Sequence, residues 1–150
     1  MILSRPDPAL DKSFAASLLR LQHDAYRTQA ALIGDERLES LSTDQESLPA
    51  WRGRYLVAWR GTHLVGAVAW RSTTDGADID RVMVEPSVHR EGIAAALLEA
   101  VLADLEGVRI DTWTGRDNTP GIALYRRFGF EQLADEQEPG GLWITRLRRS

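Results

Sequence analysis

Residues 82–94 read VMVEPSVHREGIA and residues 118–130 read NTPGIALYRRFGF, and these two stretches decide the fold of the chain. In the first stretch an apolar strand ends before Pro86, and a polar turn leads to Gly92, where a strongly apolar helix begins. Backbone N–H groups at a helix start have no acceptor within the helix and carry the positive end of its dipole. The small residues Gly92 and Ala94 would let an anion approach these groups. The junction therefore predicts a site for a diphosphate.

Taken alone, a glycine followed two residues later by a small residue is more often ordinary packing than a phosphate site. The second stretch changes this balance because it lies one strand downstream, at the distance that a βαβ unit requires. Asn118 precedes Thr119 and Pro120 at the start of a helix, and Gly129 ends that helix. Two matched stretches at this spacing favour the phosphate site.

Hydrophobic periodicity and turn residues predict the remaining elements. Asp7 is expected to cap a first helix that ends at Gly34, with an apolar stripe of Leu10, Phe14, Leu18, Leu21 and Ala25. A short second helix is expected within residues 34–50. The other elements are expected at 2–5, 55–60, 64–71, 78–84, 92–106, 108–114, 118–129, 130–134 and 142–147. This order predicts an α/β fold (an α+β mixed sheet), with a central mixed β-sheet flanked by helices, in a single domain of residues 1–150.

The strand at 78–84 leads directly into the predicted phosphate site. Regular alternation places Ile79, Arg81 and Met83 on one face and Asp80, Val82 and Val84 on the other. Asp80 is therefore expected to share a face with the two valines.

Composition argues against several classes of function. The net charge of -4 lacks the basic footprint of a nucleic-acid-binding protein. The absence of cysteine excludes disulfides and thiolate chemistry, and His23, His63 and His89 are too scattered for a metal site, so we expect no metal. No apolar run reaches the roughly 20 residues that span a bilayer, and the start lacks a secretory segment. We expect no membrane association and a cytoplasmic location.

The two stretches resemble the acetyl-CoA-binding motifs of the GCN5-related N-acetyltransferase (GNAT) superfamily. Residues 89–94, HREGIA, are similar to the family's Q/R-x-x-G-x-G/A motif, with His89 at its first position and Ala94 as the permitted alternative to glycine. Asn118, Tyr125 and the pair Gly129-Phe130 are similar to the motif that follows. The resemblance implies a GNAT-like acyl-CoA N-acyltransferase fold with acetyl-CoA as co-substrate.

The resemblance also implies roles for individual residues. The backbone of Val82, Met83 and Val84 would pair with the pantetheine arm. Asn118 would lie near the cofactor arm, and Tyr125 would contact the cofactor and protonate the departing CoA thiolate. Without the motif, a tyrosine on this apolar helix would be interpreted as a packing residue. The amides that would hold the pyrophosphate belong to His89, Arg90, Glu91, Gly92, Ile93 and Ala94.

The implied reaction is direct attack by a primary amine on the thioester, with the tetrahedral oxyanion held by the backbone N–H of Val84. The absence of cysteine accords with a route that has no covalent enzyme intermediate. An amine of pKa about 10 is mostly protonated at neutral pH, so a base must accept its proton. No glutamate lies in the strand before the motif, and Asp80 is the expected catalytic acceptor, directly or through water. A solvated or ion-paired aspartate is an equally good interpretation.

The acceptor is expected to be an amine of a small molecule or peptide. Asp111 and Trp113, on the strand beside the cofactor strand, and Tyr26, in the first helix, are its expected contacts. The alternative is a non-catalytic acyl-CoA-binding or regulatory module on the same fold, which the missing glutamate favours. The resemblance also allows a homodimer.

Overall fold

The computed structural model describes residues 1–33, 53–89 and 91–150, with side chains up to residue 28 in the first segment. The short helix predicted within 34–50, Gly34 and Arg90 lie outside the described residues. The helices are α1 (Lys12–Ile33), α2 (Ile93–Asp104) and α3 (Thr119–Arg127). The strands are β1 (Ile2–Ser4), β2 (Arg54–Arg60), β3 (His63–Ser72), β4 (Ala77–Val84), β5 (Ile110–Gly115), β6 (Glu131–Gln137) and β7 (Trp143–Arg149).

The strands form one mixed sheet in the order β1-β2-β3-β4-β5-β7-β6. β4 and β5 pair in parallel, and the other neighbours pair antiparallel. Helix α2 connects the parallel pair, because parallel strands need a crossover. The predicted mixed sheet flanked by helices is confirmed.

Two apolar layers cover the two faces of this sheet. Phe14, Leu18 and Leu21 of α1 pack on one face with Tyr55 and Met83. On the other face, residues of α2 and Tyr125 of α3 pack against the alternate residues of the central strands; this layer includes Leu56, Ala58, Val68, Ile79, Ile93, Leu97 and Phe130. The faces are called here the α1 face and the α2 face.

Helix α1 begins later than the sequence predicts. The Asp7 carboxylate accepts from the Ala9 N–H at 2.9 Å and holds a turn, while Asp11 Oδ1 accepts from the Phe14 N–H at 2.9 Å. Leu10 lies in that turn and is 87% exposed. Asp11, not Asp7, therefore caps α1, and the prediction that Leu10 belongs to the apolar stripe is wrong.

A β-bulge interrupts β4. Ala69 of β3 faces Arg81 and the next residue, Trp70, faces Ile79, so Asp80 is the extra residue. The bulge shifts the alternation by one position and turns Ile79 to the α2 face, while Met83 faces α1. The prediction that these two side chains share a face is wrong, because regular alternation assumes an unbroken ladder.

Candidate functional site

The site is a gap between β4 and β5. Over the described strands, the ladder between them consists of the pairs Ala77↔Ile110 and Asp78↔Asp111. The Thr112 hydroxyl then donates to the Ile79 carbonyl at 2.9 Å, which joins the strands where they begin to separate. Beyond this point the C-terminal half of β4 has a free side that faces the gap.

Val82 and Val84 present their backbone groups to this gap. The Glu85 N–H donates to the Val65 carbonyl at 2.9 Å, so the groups of residue 85 point towards β3. Backbone groups alternate in direction along a strand, which turns those of Val82 and Val84 the other way. The Val84 carbonyl oxygen has a partner other than β3, because His89 Nε2 lies 3.0 Å from it. Two N–H groups and two carbonyls of β4 therefore line the gap.

The N-terminus of α2 lies just beyond the end of β4. Gly92 adopts a left-handed conformation (φ 81°), and within the described residues no side chain caps the helix. The first helical hydrogen bond runs from the Ala96 N–H to the Gly92 carbonyl at 3.0 Å. The N–H groups of residues 93–95 thus have no acceptor inside the helix, which suits them to an anion.

Close packing fixes α2 in this position. Ile93 is 2% exposed and lies in the layer on the α2 face. A Cβ at Gly66 of β3 would approach Ile93 Cγ2 to 2.8 Å and Leu97 Cδ1 to 2.9 Å. Glycine at position 66 therefore lets the helix lie directly on the strand that pairs with β4.

Tyr125 approaches the same gap from α3. Its side chain is 5% exposed, and its ring contacts Phe130 edge-on with centroids 5.3 Å apart. Burial raises the pKa of Tyr125 to about 12, although a hydrogen-bonding interaction with Thr112 acts in the opposite direction. The hydroxyl thus adjoins the residue that joins β4 to β5, and it carries its proton at neutral pH.

Asn118 caps α3. Its Oδ1 accepts from the Gly121 N–H at 3.2 Å, and its Nδ2 donates to the Thr114 hydroxyl at 2.9 Å. The side chain ties the start of α3 to β5 and so helps to position Tyr125, seven residues along the chain.

Asp80 lies with Arg81 on the α1 side of β4. Asp80 Oδ2 accepts from Arg81 Nε at 3.0 Å, and Arg81 Nη1 donates to the Gln22 side-chain oxygen at 2.6 Å. Since Gln22 belongs to α1, the prediction that Asp80 shares a face with Val82 and Val84 is wrong, and the bulge is the cause. The ion-paired interpretation of Asp80 is the one that the structure bears out.

Tyr26, the acceptor contact expected from α1, joins this group. Burial raises the pKa of Tyr26, and the charge of Arg81 and a hydrogen-bonding interaction with it partly offset that effect. The charge of an ionised Tyr26 would also raise the pKa of Tyr125. Arg81, Gln22 and Thr112 were missed from the sequence, because no local pattern indicates contacts between residues so far apart in the chain.

The other two expected acceptor contacts have partners of their own. Asp111 accepts from Arg148 Nε at 2.7 Å and lies 3.5 Å from Arg109. Trp113 packs against Leu142 and Ile144. The structure therefore groups Tyr26 with Asp80 and places Asp111 and Trp113 in separate interactions.

The described part of the chain contains neither a cluster of metal-binding side chains nor a membrane-spanning helix. In residues 1–33, 53–89 and 91–150, no group of three or more histidine or acidic side chains could hold a metal ion. The described helices include none that is long and apolar enough to cross a membrane.

Solved structures share this architecture. Ribosomal-protein-alanine N-acetyltransferase from Brucella melitensis matches with a TM-score of 0.78 and 19% identity, over 99% of this chain and 99% of that chain. The PaiA N-acetyltransferase from Thermoplasma acidophilum, solved in complex with coenzyme A, matches with a TM-score of 0.75 and 18% identity, over 97% of this chain and 98% of that chain. At these identities the likeness establishes the fold, which is that of the GNAT acyltransferases.

The sequence also matches at the level of a family. The profile of the Acetyltransferase (GNAT) family matches residues 16–130, and the chain belongs to this family. It is also 26% identical over 136 residues to the UPF0157 protein YqkA of Bacillus subtilis (strain 168). That alignment covers 90% of this chain and 40% of the relative, so this chain spans about two fifths of the relative's length.

Proposed function

We propose that this protein transfers an acetyl group from acetyl-CoA to a primary amine of a small molecule or peptide, within a single domain of residues 1–150. One observation carries the proposal. β4 separates from β5 so that the backbone of Val82 and Val84 faces a gap, and the uncapped start of α2 lies at the end of the same strand. A peptide-like arm that ends in a diphosphate would find hydrogen-bonding groups for both of its parts there.

The roles follow the path of such a molecule. The backbone groups of Val82 and Val84 would pair with the pantetheine arm, while those of Met83, expected from the sequence to do the same, point towards β3. The amides of residues 89–94 would hold the diphosphate. A Val84 N–H that faces the gap would stabilise the oxyanion. Asn118 would act through the start of α3, and the buried phenol of Tyr125 would return a proton to the CoA thiolate.

The acceptor would approach from the α1 face. Tyr26 and Asp80 lie together there, and Asp80 would accept the proton of the attacking amine, directly or through water. Asp111 and Trp113 remain proposed acceptor contacts, although both have protein partners. The ion pair between Asp80 and Arg81 favours the alternative of a non-catalytic acyl-CoA-binding module, because it occupies one oxygen of the expected base.

Placing a negative charge in the first turn of α2 tests the cofactor site. Ala94 is partly buried in that turn, so Ala94→Glu would set a carboxylate where the diphosphate is expected. The helix dipole favours the new carboxylate by about 0.3–1 kcal/mol, so the fold is retained while coenzyme A is repelled. We expect calorimetric titration to show at least tenfold weaker binding of coenzyme A to this variant, about 1.4 kcal/mol.

Ala94→Gln has nearly the same volume without the charge and serves as the matched control. We expect Ala94→Gln to bind coenzyme A more weakly than the parent, because its longer side chain crowds the anion, but more tightly than Ala94→Glu, because a neutral amide does not repel a diphosphate. If both variants bind coenzyme A as tightly as the parent does, the diphosphate does not lie at this helix start. A parent protein that binds no coenzyme A would overturn the proposed function.

A further inference from the structure

Glu91 lies directly before the start of α2, one residue ahead of Gly92. A carboxylate beside a helix N-terminus is attracted by the helix dipole and can accept hydrogen bonds from its N–H groups. Glu91 would then occupy the place proposed for the diphosphate. It makes a different contact: its Oε1 accepts from Arg60 Nη2 at 2.8 Å. The carboxylate closest in sequence to the anion site is thus held by a residue 31 positions away.

Arg60 is brought to this position by the packing of two elements. It is the last residue of β2, and Leu56 and Ala58 of that strand pack in the same layer as Ile93 and Leu97 of α2. The end of β2 therefore lies beside the start of α2. The Arg60 and Glu91 side chains are 43% and 45% exposed, so a bound anion could reach both of them.

We propose that Arg60 is a positioning residue for the diphosphate of coenzyme A. It holds the Glu91 carboxylate away from the N–H groups of residues 93–95, and its charge offsets the negative charge that Glu91 adds to the site. This inference rests on the proposed function, since it assumes that the diphosphate binds at α2. Arg60 lies outside both sequence stretches that resemble the family motifs.

The inference predicts how the affinity for coenzyme A changes in each of three variants. Arg60→Gln releases Glu91 to turn towards the helix start, and coenzyme A binds about two- to fivefold more weakly, a range set by the modest strength of exposed ion pairs. Glu91→Gln keeps the backbone N–H of residue 91 and removes the competing charge, so coenzyme A binds more tightly than it does to the parent. Arg60→Gln with Glu91→Gln recovers most of the loss, because the carboxylate that Arg60 restrains is gone.

The experiment is calorimetric titration of these variants with coenzyme A, at low and at high sodium chloride. Arg5→Gln is the matched control, since Arg5 forms an exposed ion pair with Asp104 at the other end of the same helix, at 2.7 Å. It removes the same charge from the molecule but leaves the start of α2 unchanged. We expect its affinity to equal that of the parent, and we expect high salt to reduce the effect of Arg60→Gln.

A titration with pantetheine, which lacks the diphosphate, separates this role from general damage to the site. Its binding, followed by NMR chemical shifts, should be unchanged by Arg60→Gln. The inference is overturned if Arg60→Gln binds coenzyme A as Arg5→Gln does, or if the double variant stays as weak as the single one. If the parent binds no coenzyme A, the proposed function fails as well, and that result differs from a parent that binds while Arg60→Gln has no effect.

Discussion

Tyr125 combines two properties that a proton donor needs. Its hydroxyl lies against Thr112, where β4 and β5 begin to separate, and burial raises its pKa to about 12. A phenol with this pKa keeps its proton at neutral pH, but it is a weaker acid than an ordinary tyrosine, so its position beside the forming thiolate carries the role. The same burial would also suit a tyrosine that only packs, and substitution of Tyr125 by phenylalanine distinguishes the two roles.

Tyr125→Phe separates an enzyme from a module that only binds acyl-CoA. The change removes the hydroxyl and leaves the ring against Phe130, so the affinity for coenzyme A should stay within about threefold of the parent. Loss of a general acid should lower turnover on the order of 100-fold, measured as release of free CoA thiol over a panel of amines. Unchanged turnover would remove Tyr125 from the mechanism. A parent that binds coenzyme A but acetylates no amine would support the non-catalytic module.

The pKa of Tyr125 also predicts whether the reaction rate rises or falls with pH. A primary amine loses its proton near pH 10, so the rate should rise with pH as the free amine accumulates. Tyr125, with a pKa of about 12, stays protonated through that range, so its deprotonation does not lower the rate below pH 10. A pH profile of kcat/KM that falls between pH 8 and pH 10 while the fold is intact would contradict the assignment of Tyr125 as the acid.

At the scale of elements, the site depends on how β4 and β5 are joined at one end. The joined end consists of two ladder pairs and the hydrogen bond from the Ala77 N–H to the Arg109 carbonyl at 2.9 Å. Gly76 lies directly against that carbonyl, and a Cβ there would overlap the oxygen. The absence of a side chain at position 76 is therefore a condition for the parallel pairing.

Gly76→Ala should destabilise the protein, since the new methyl group meets backbone rather than a side chain that can move. We expect a loss of about 3 kcal/mol, at the upper end of overpacking costs. For a chain of this size that corresponds to a fall in Tm of about 6–12 °C, measured by calorimetry. Gly140→Ala is the control, because a Cβ at position 140 meets nothing within 4 Å. Equal Tm values for the two variants would refute this account of Gly76.

At the scale of the whole molecule, the proposed ligand would contact several elements of the fold at once. The diphosphate would bind α2, and the arm would lie between β4 and β5, below Tyr125 of α3. A molecule bound across these parts can stabilise only the folded state, because the unfolded chain does not assemble them. Binding should therefore raise the stability of the whole fold by mass action.

Coenzyme A should raise the Tm. At about 100 times its Kd the gain is about 2.7 kcal/mol, or roughly 5–10 °C for a domain of this size. Ala94→Glu should lose most of this rise, and adenosine, which has neither the diphosphate nor the arm, should leave the Tm unchanged. A parent whose Tm stays constant across saturating coenzyme A would argue against a site in the folded protein.

The sequence by itself determined the location of the candidate site and the class of the fold. Both predictions depend on local signals, each of which a few neighbouring residues determine. These signals are the helix N-termini at Gly92 and Asn118, the apolar stripes and the order of elements. They sufficed for the mixed sheet, and the likeness of residues 82–94 and 118–130 to the GNAT motifs agrees with the family match. The same local rules misplaced the start of α1, because Asp7 and Asp11 are both good caps and only the folded chain chooses between them.

Only the tertiary structure decided how the surroundings of the site are arranged. The bulge at Asp80 depends on the register with β3, and it turns this side chain to the face on which Arg81 lies. Arg81 meets Gln22 across 59 residues, and Arg60 meets Glu91 across 31. Contacts at such separations leave no periodic trace in the sequence, because they form only when packed elements bring distant residues together.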